Sequence, residues 1–200
     1  MRAGPLALAV CAIIVVAGVS FYAGGVLDRV TLTSTTTVVS TATSSQTGIS
    51  TYSVCFSPGG NCATQIAAVI ASANVSIHMM IYTFTNTALA TALVQAEQRG
   101  VDVKIVMDGS EAASDNLAVE AVLNQGGVPL RIYSPPNGIV HDKVAIVDGK
   151  IVITGSYNWS YSANDYNDEN LLILHSTTLA SQYEADFQTV WNLAGNSTAG

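Results

Sequence analysis

The sequence predicts an α/β protein with a mixed, largely parallel central sheet, and three observations lead to that class. From Val54 to Leu193, apolar stretches of strand length alternate with segments of helical periodicity, the pattern of βαβ units. The run from His141 to Asn158 departs from that alternation. It reads as two strands joined by Asp148-Gly149, a favoured hairpin turn, and so adds an antiparallel pair. Hydrophobic residues make up 49% of the 200 residues and charged residues only 10%, enough apolar material for a sizeable core.

The first segment stands apart from this pattern. Leu6 to Leu27 contains no charged residue over about 22 positions, a length that can cross a bilayer. Arg2 precedes it, and Asp28 and Arg29 follow. Residues 1–28 therefore read as an uncleaved transmembrane anchor. The alternative is a signal segment cut near Gly18-Val19-Ser20. Residues 29–52 form a Ser/Thr-rich linker, free of Lys, Arg, Asp and Glu from Thr31 onward, with too little apolar surface to fold. Such a tract beside a membrane segment reads as an extracellular stalk. Glycosylation sequons at Asn74 and Asn196 point weakly the same way. The expected location is membrane-anchored with the folded part outside the cytoplasm, or secreted if the segment is cleaved.

The folded domain is expected over residues 53–195. Val54 to Phe56 is a short strand, and Cys55 and Cys62 flank the turn-rich Phe56-Ser57-Pro58-Gly59-Gly60-Asn61. Outside the cytoplasm that pair can close a disulfide loop; the alternative is two unpaired thiols. Asn61 is placed to cap a helix to about Ala73, with Ile66, Val69 and Ile70 on one face. Val75 to Phe84 is a long apolar strand, suited to a central place. Thr87 is placed to cap a helix to Arg99, with Leu89, Leu93 and Ala96 inward and Gly100 as its stop. Val101–Met107 is a strand, Ser114–Asn124 a helix and Val128–Tyr133 a strand. After the hairpin come a short helix or loop at Trp159–Asn164 and a strand at Glu169–His175. A last helix, Thr178–Leu193, has Tyr183, Phe187, Val190 and Trp191 on one face.

The candidate chemistry lies at the open end of the hairpin. His141 and Lys143 are two residues apart, so on a strand they share a face; Ser156 and Asn158 are likewise two apart on the return. A hairpin brings its outer ends together, setting an imidazole, an ammonium, a hydroxyl and an amide around one small volume. Lys143, Ser156 and Asn158 can donate to phosphate oxygens, and His141 can attack phosphorus or move a proton. Asp148 sits on the turn, away from those ends, and reads as structural support. A nucleophilic imidazole needs an acceptor on its other nitrogen; Asp142, Asp165, Asp168 and Glu169 are the candidates. His78 and His175 match no phosphate-binding pattern and read as structural and peripheral. No Cys or His pair has zinc-ligand spacing, and no metal or other cofactor is expected.

This spacing resembles the signature of the phospholipase D superfamily, His-x-Lys-x4-Asp followed by Gly-Ser-x-Asn. Ser76 to Thr85, Arg99 to Val106 and Glu169-Asn170 look like the small single-motif bacterial endonucleases of the Nuc type, and the likeness covers roughly residues 53–193. The resemblance implies a phospholipase D-like α-β-α sandwich. It implies that Glu169 orients the catalytic histidine and that Asp148 supports the site. It also implies a composite site in which two motifs meet: one histidine forms a phosphohistidine while the other protonates the leaving group, with no metal. This chain holds one motif, so the second would come from an identical chain in a homodimer.

Three functions follow as expectations. The first is a metal-independent endonuclease acting on DNA or RNA. The second is a membrane-tethered phospholipase D-type lipid phosphodiesterase, and the third a non-catalytic stalked binding module. The net charge of −7 argues against a tight non-specific nucleic-acid binder, since such binding draws on basic surface. A local positive site at Lys143 needs to contact only a few phosphates. The intact His141, Lys143, Ser156, Asn158 and Glu169 argue against the binding module.

Overall fold

In the computed structural model, residues 48–112 and 117–197 are described. The predicted anchor and all but the last residues of the predicted linker lie outside them. Among the described residues no helix is long and apolar enough to cross a membrane.

Seven strands form one sheet. They are β1 (Thr51–Ser57), β2 (Ser76–Ile81), β3 (Asp102–Asp108), β4 (Leu130–Tyr133), β5 (Lys143–Val147), β6 (Ile151–Gly155) and β7 (Glu169–His175), in the order β1-β7-β6-β5-β2-β3-β4. The helices are α1 (Cys62–Ser72), α2 (Thr87–Gln98), α3 (Gly109–Ala112), α4 (Leu117–Gln125), α5 (Tyr161–Asp165) and α6 (Thr177–Ser197). The sheet is mixed, but the expectation that it is largely parallel needs correcting. Parallel pairing is confined to β2-β3 and β3-β4, while β1-β7, β7-β6, β6-β5 and β5-β2 are antiparallel. The hairpin does not sit at an edge. It inserts between β2 and β7, and the final strand returns to pair with β1.

Side-chain alternation along the central strands builds two apolar layers. Ile77, Met79 and Ile81 of β2, Val103, Ile105 and Met107 of β3, and Ala145 and Val147 of β5 face α1, α2 and α4. Met80, Val106, Val144 and Ile146 face the other way, against Ala180, Phe187 and Ala194 of α6. This is an α-β-α arrangement. Every residue of β5 is buried, which explains its unbroken apolar run.

Several local expectations are revised. β1 begins at Thr51, so pairing with β7 draws the last residues of the predicted linker into the sheet, from Thr51 opposite His175 onward. Asn61 precedes α1 with φ of 57° and makes no side-chain cap; asparagine tolerates this left-handed conformation better than most residues. The cap of α2 is Asn86, one residue before Thr87: its side chain accepts from the N–H groups of Ala88 and Leu89. The hairpin connection is three residues long. Val147 pairs with Ile151, and Lys150 N–H closes a turn onto the Val147 carbonyl at 3.0 Å, with Asp148 and Gly149 at φ of 53° and 60°. Cys55 and Cys62 form a disulfide that ties β1 to the start of α1, with their Cα atoms 5.7 Å apart.

Candidate active site

The start of β5, the end of β6 and the start of β7 meet at one end of the sheet. There His141, Lys143, Gly155, Ser156, Asn158, Glu169 and Asn170 line an open cleft of about 640 Å3. The hairpin logic accounts for this: His141 and Lys143 lead into β5, and Ser156 and Asn158 follow β6.

Each polar side chain has an internal tie that decides what it has left to offer. Ser156 Oγ accepts from Asn170 N–H at 3.1 Å and from Asn170 Nδ2 at 3.2 Å, which leaves its hydroxyl proton to donate. Asn158 Oδ1 accepts from Thr83 N–H at 3.3 Å, so the amide NH2 is left as a donor. Lys143 Nζ gives one hydrogen bond to the His141 carbonyl at 2.7 Å and has two more donors. Gly155 makes the approach of these strands possible. Its φ is 141°, and a Cβ there would lie 2.2 Å from the Asn170 carbonyl oxygen, which itself accepts from Ser156 and Tyr157 N–H. Beneath Asn158, the buried Trp159 packs edge-on to Phe84, and its carbonyl accepts from Thr85 and Asn86.

Lys143 is only 8% exposed. Burial pushes its pKa below the usual lysine range, while Asp142, Glu169 and Glu111 pull it back up. The neighbouring Asp142 carboxyl is pushed up by burial and by Asp186.

Glu169 lines the cleft with His141, but among the described residues its hydrogen bond is from Asn167 Nδ2 at 3.2 Å, not from the imidazole. Asp148 lies at the opposite end of the hairpin. Its carboxylate accepts from the backbone N–H groups of Asn74, Val75 and Ser76, at 2.8 Å from Val75. Burial alone would raise its pKa; these three donors outweigh burial and hold it below the usual range. His78 is buried under α6, stacked on Phe187 at 4.7 Å and bonded through Nδ1 to Glu184 at 2.7 Å; His175 is exposed at the far end of β7. Neither lines the cleft. Among the described residues no group of three or more His, Cys, Asp and Glu is placed to hold a metal ion.

Two neighbours of the cleft have no site role in the sequence reading. Asn170 follows Glu169 but shows no periodic signal of its own. Tyr82 falls within the expected strand Val75–Phe84; the chain instead leaves the ladder after Ile81, which puts Tyr82 beside His141 with ring centroids 4.8 Å apart.

A family model described as "Cardiolipin synthase, PLD-like domain" matches residues 66–191. Phospholipase D of Rickettsia prowazekii (strain Madrid E) is 37% identical over 134 residues, covering 67% of this chain and 64% of that protein. Mitochondrial cardiolipin hydrolase of Xenopus laevis is 34% identical over 116 residues, 58% of this chain and 54% of that protein. The crystal structure of the phospholipase D family member Nuc from Salmonella typhimurium matches with a TM-score of 0.67 and 39% identity, covering 71% of this chain and 94% of that one. The chain belongs to the phospholipase D superfamily, in its Nuc-like branch. It spans less than two thirds of the length of these two curated relatives.

Proposed function

We propose that the protein is a metal-independent phosphodiesterase, most specifically an endonuclease acting on DNA or RNA as a homodimer. The observation behind this reading is the convergence of His141, Lys143, Ser156 and Asn158 on one cleft, with donors left over on three of them. A diester phosphate there meets a cation and two neutral donors beside an imidazole.

The chemistry needs two imidazoles. One ring nitrogen attacks phosphorus and the phosphorus–oxygen bond to the leaving group breaks. A second, protonated imidazole gives that oxygen its proton. The second imidazole then takes a proton from water, which attacks the phosphohistidine and releases the first histidine. Each chain supplies one His141, so a two-fold pair of chains with facing clefts supplies both roles. Within one chain Glu169 faces the cleft without bonding His141, and in the pair its carboxylate is the acceptor for an imidazole of the shared site. Lys143 and its mate neutralise the phosphate.

A second reading, a lipid phosphodiesterase, is favoured by one observation, the uncharged run Leu6–Leu27, which would tether the site near a bilayer. The same residues would act. The deciding experiment offers the full chain, in mild detergent, single-stranded DNA, RNA and phospholipid vesicles in parallel. Cleavage of nucleic acid with intact lipid supports the nuclease; release of headgroup alone moves the assignment to lipid.

A further inference from the structure

We propose that Tyr82 is a positioning residue of this site, its ring serving as the common platform that fixes the His141 imidazole and the Lys143 ammonium relative to each other. The inference rests on the phosphodiesterase reading and adds a residue to it.

Tyr82 is bound into the site from its backbone outward. Its N–H donates to the carbonyl of Asp142, the residue between His141 and Lys143, at 2.9 Å. Its ring lies 4.8 Å from the His141 ring, tilted by 56°, and the Lys143 ammonium sits 4.8 Å from the centroid of the same ring. One aromatic ring thus contacts both groups. At the far end of the ring, the Glu111 carboxylate raises the phenol's pKa, first by its charge. That carboxylate is itself held by a hydrogen bond from Thr83 Oγ1 at 2.9 Å.

The two partners differ in how much else fixes them. Lys143 has its bond to the His141 carbonyl. His141 is exposed and precedes β5, so the strand ladder does not set its backbone. Its ring nitrogens make no hydrogen bond to the described residues of the chain, so its contact with Tyr82 limits ring rotation before a substrate arrives. A nucleophile that must approach phosphorus in line loses rate steeply when displaced by an ångström. A ring that limits the imidazole's orientation therefore acts on turnover more than on substrate capture.

The test compares Tyr82→Phe with Tyr82→Leu and Tyr82→Met in the full chain; two non-aromatic variants are made so that one folded one suffices. Turnover of bis-p-nitrophenyl phosphate is measured, and inorganic phosphate binding is followed separately by calorimetry. The expected result is that Tyr82→Phe stays within about threefold of the parent in both measurements. The non-aromatic variants lose about 30-fold or more in kcat, against a rise in KM of only about threefold to tenfold. Their phosphate affinity falls about threefold to tenfold, because the ammonium is no longer held. A folded non-aromatic variant with parental kcat and phosphate affinity overturns the proposal, as does equal loss in Tyr82→Phe, which would assign the effect to the hydroxyl. If the parent turns over no diester yet binds phosphate and the leucine variant binds it more weakly, the phosphodiesterase reading falls and the platform stands.

Discussion

At Ser156 the hydroxyl oxygen already accepts two N–H groups of Asn170, so its proton is what remains for a ligand. Replacing it by alanine removes one donor to a charged phosphate, worth about 1.5–3 kcal/mol. Ser156→Ala should therefore lower kcat/KM toward a chromogenic diester by roughly tenfold to a hundredfold. If Lys143 neutralises the phosphate as proposed, it sets an alkaline limit on activity. Its pKa is depressed by burial, so the needed ammonium is present at low pH and is lost as pH rises through a value below the ordinary lysine pKa of about 10.4. The activity profile should fall on its alkaline side before about pH 10.4, and Lys143→Arg should remove that limb, because a guanidinium stays charged. A limb unmoved in the arginine variant would assign it to another group. Asp148 acts on stability instead. Its folded pKa is held below the ordinary value, so its contribution is full above about pH 3.9 and is lost as pH falls through the lower folded value. Asp148→Ala leaves three backbone donors of the α1–β2 connection without their acceptor. It should cost about 1–3 kcal/mol in urea unfolding at pH 7, with the deficit shrinking at strongly acid pH.

The β5–β6 hairpin holds the site, and Gly155 is its tightest point. Gly155→Ala adds a Cβ 2.2 Å from the Asn170 carbonyl at φ of 141°. The strain is about 1–3 kcal/mol, and relief requires Asn170, hence Ser156, to move. Thermal unfolding should show a lowered Tm and diester turnover should drop with it; a variant with parental Tm and turnover would show that the contact yields freely. This hairpin was legible in the sequence because its signals are local: a Val144–Val147 run, an Asp-Gly turn, and polar pairs two residues apart. The caps were legible only to within a residue, since both Asn86 and Thr87 are good capping types and geometry alone selects Asn86. Strand order was not legible. The βαβ pattern predicts parallel pairing, and it holds for β2, β3 and β4. Nothing local says that β7 returns beside both β6 and β1. Tyr82 was hidden for a related reason. The apolar run Val75–Phe84 reads as one strand, whereas the ladder ends at Ile81 and the next residue lies beside His141.

Across the molecule the chain has seven Lys and Arg against fourteen Asp and Glu, so little basic surface is available to track a nucleic-acid backbone. A site that neutralises only the phosphate at Lys143 and its mate should show a shallow salt dependence, a log–log slope of about −1 to −2 for DNA binding. A much steeper slope would require a basic surface that this composition does not supply. The proposed homodimer, with its composite site, would make activity depend on association. Sedimentation should give about twice the 20.8 kDa chain mass, and specific activity should fall on dilution below the dissociation constant. The central claim, that His141 performs phosphodiester cleavage without a metal, is tested most directly by incubating the full chain with plasmid DNA in EDTA, beside a His141→Ala variant. The account predicts nicking by the parent and intact plasmid with the variant. Equal cleavage by both proteins would contradict it, as would an intact plasmid and no turnover of bis-p-nitrophenyl phosphate by the folded, dimeric parent.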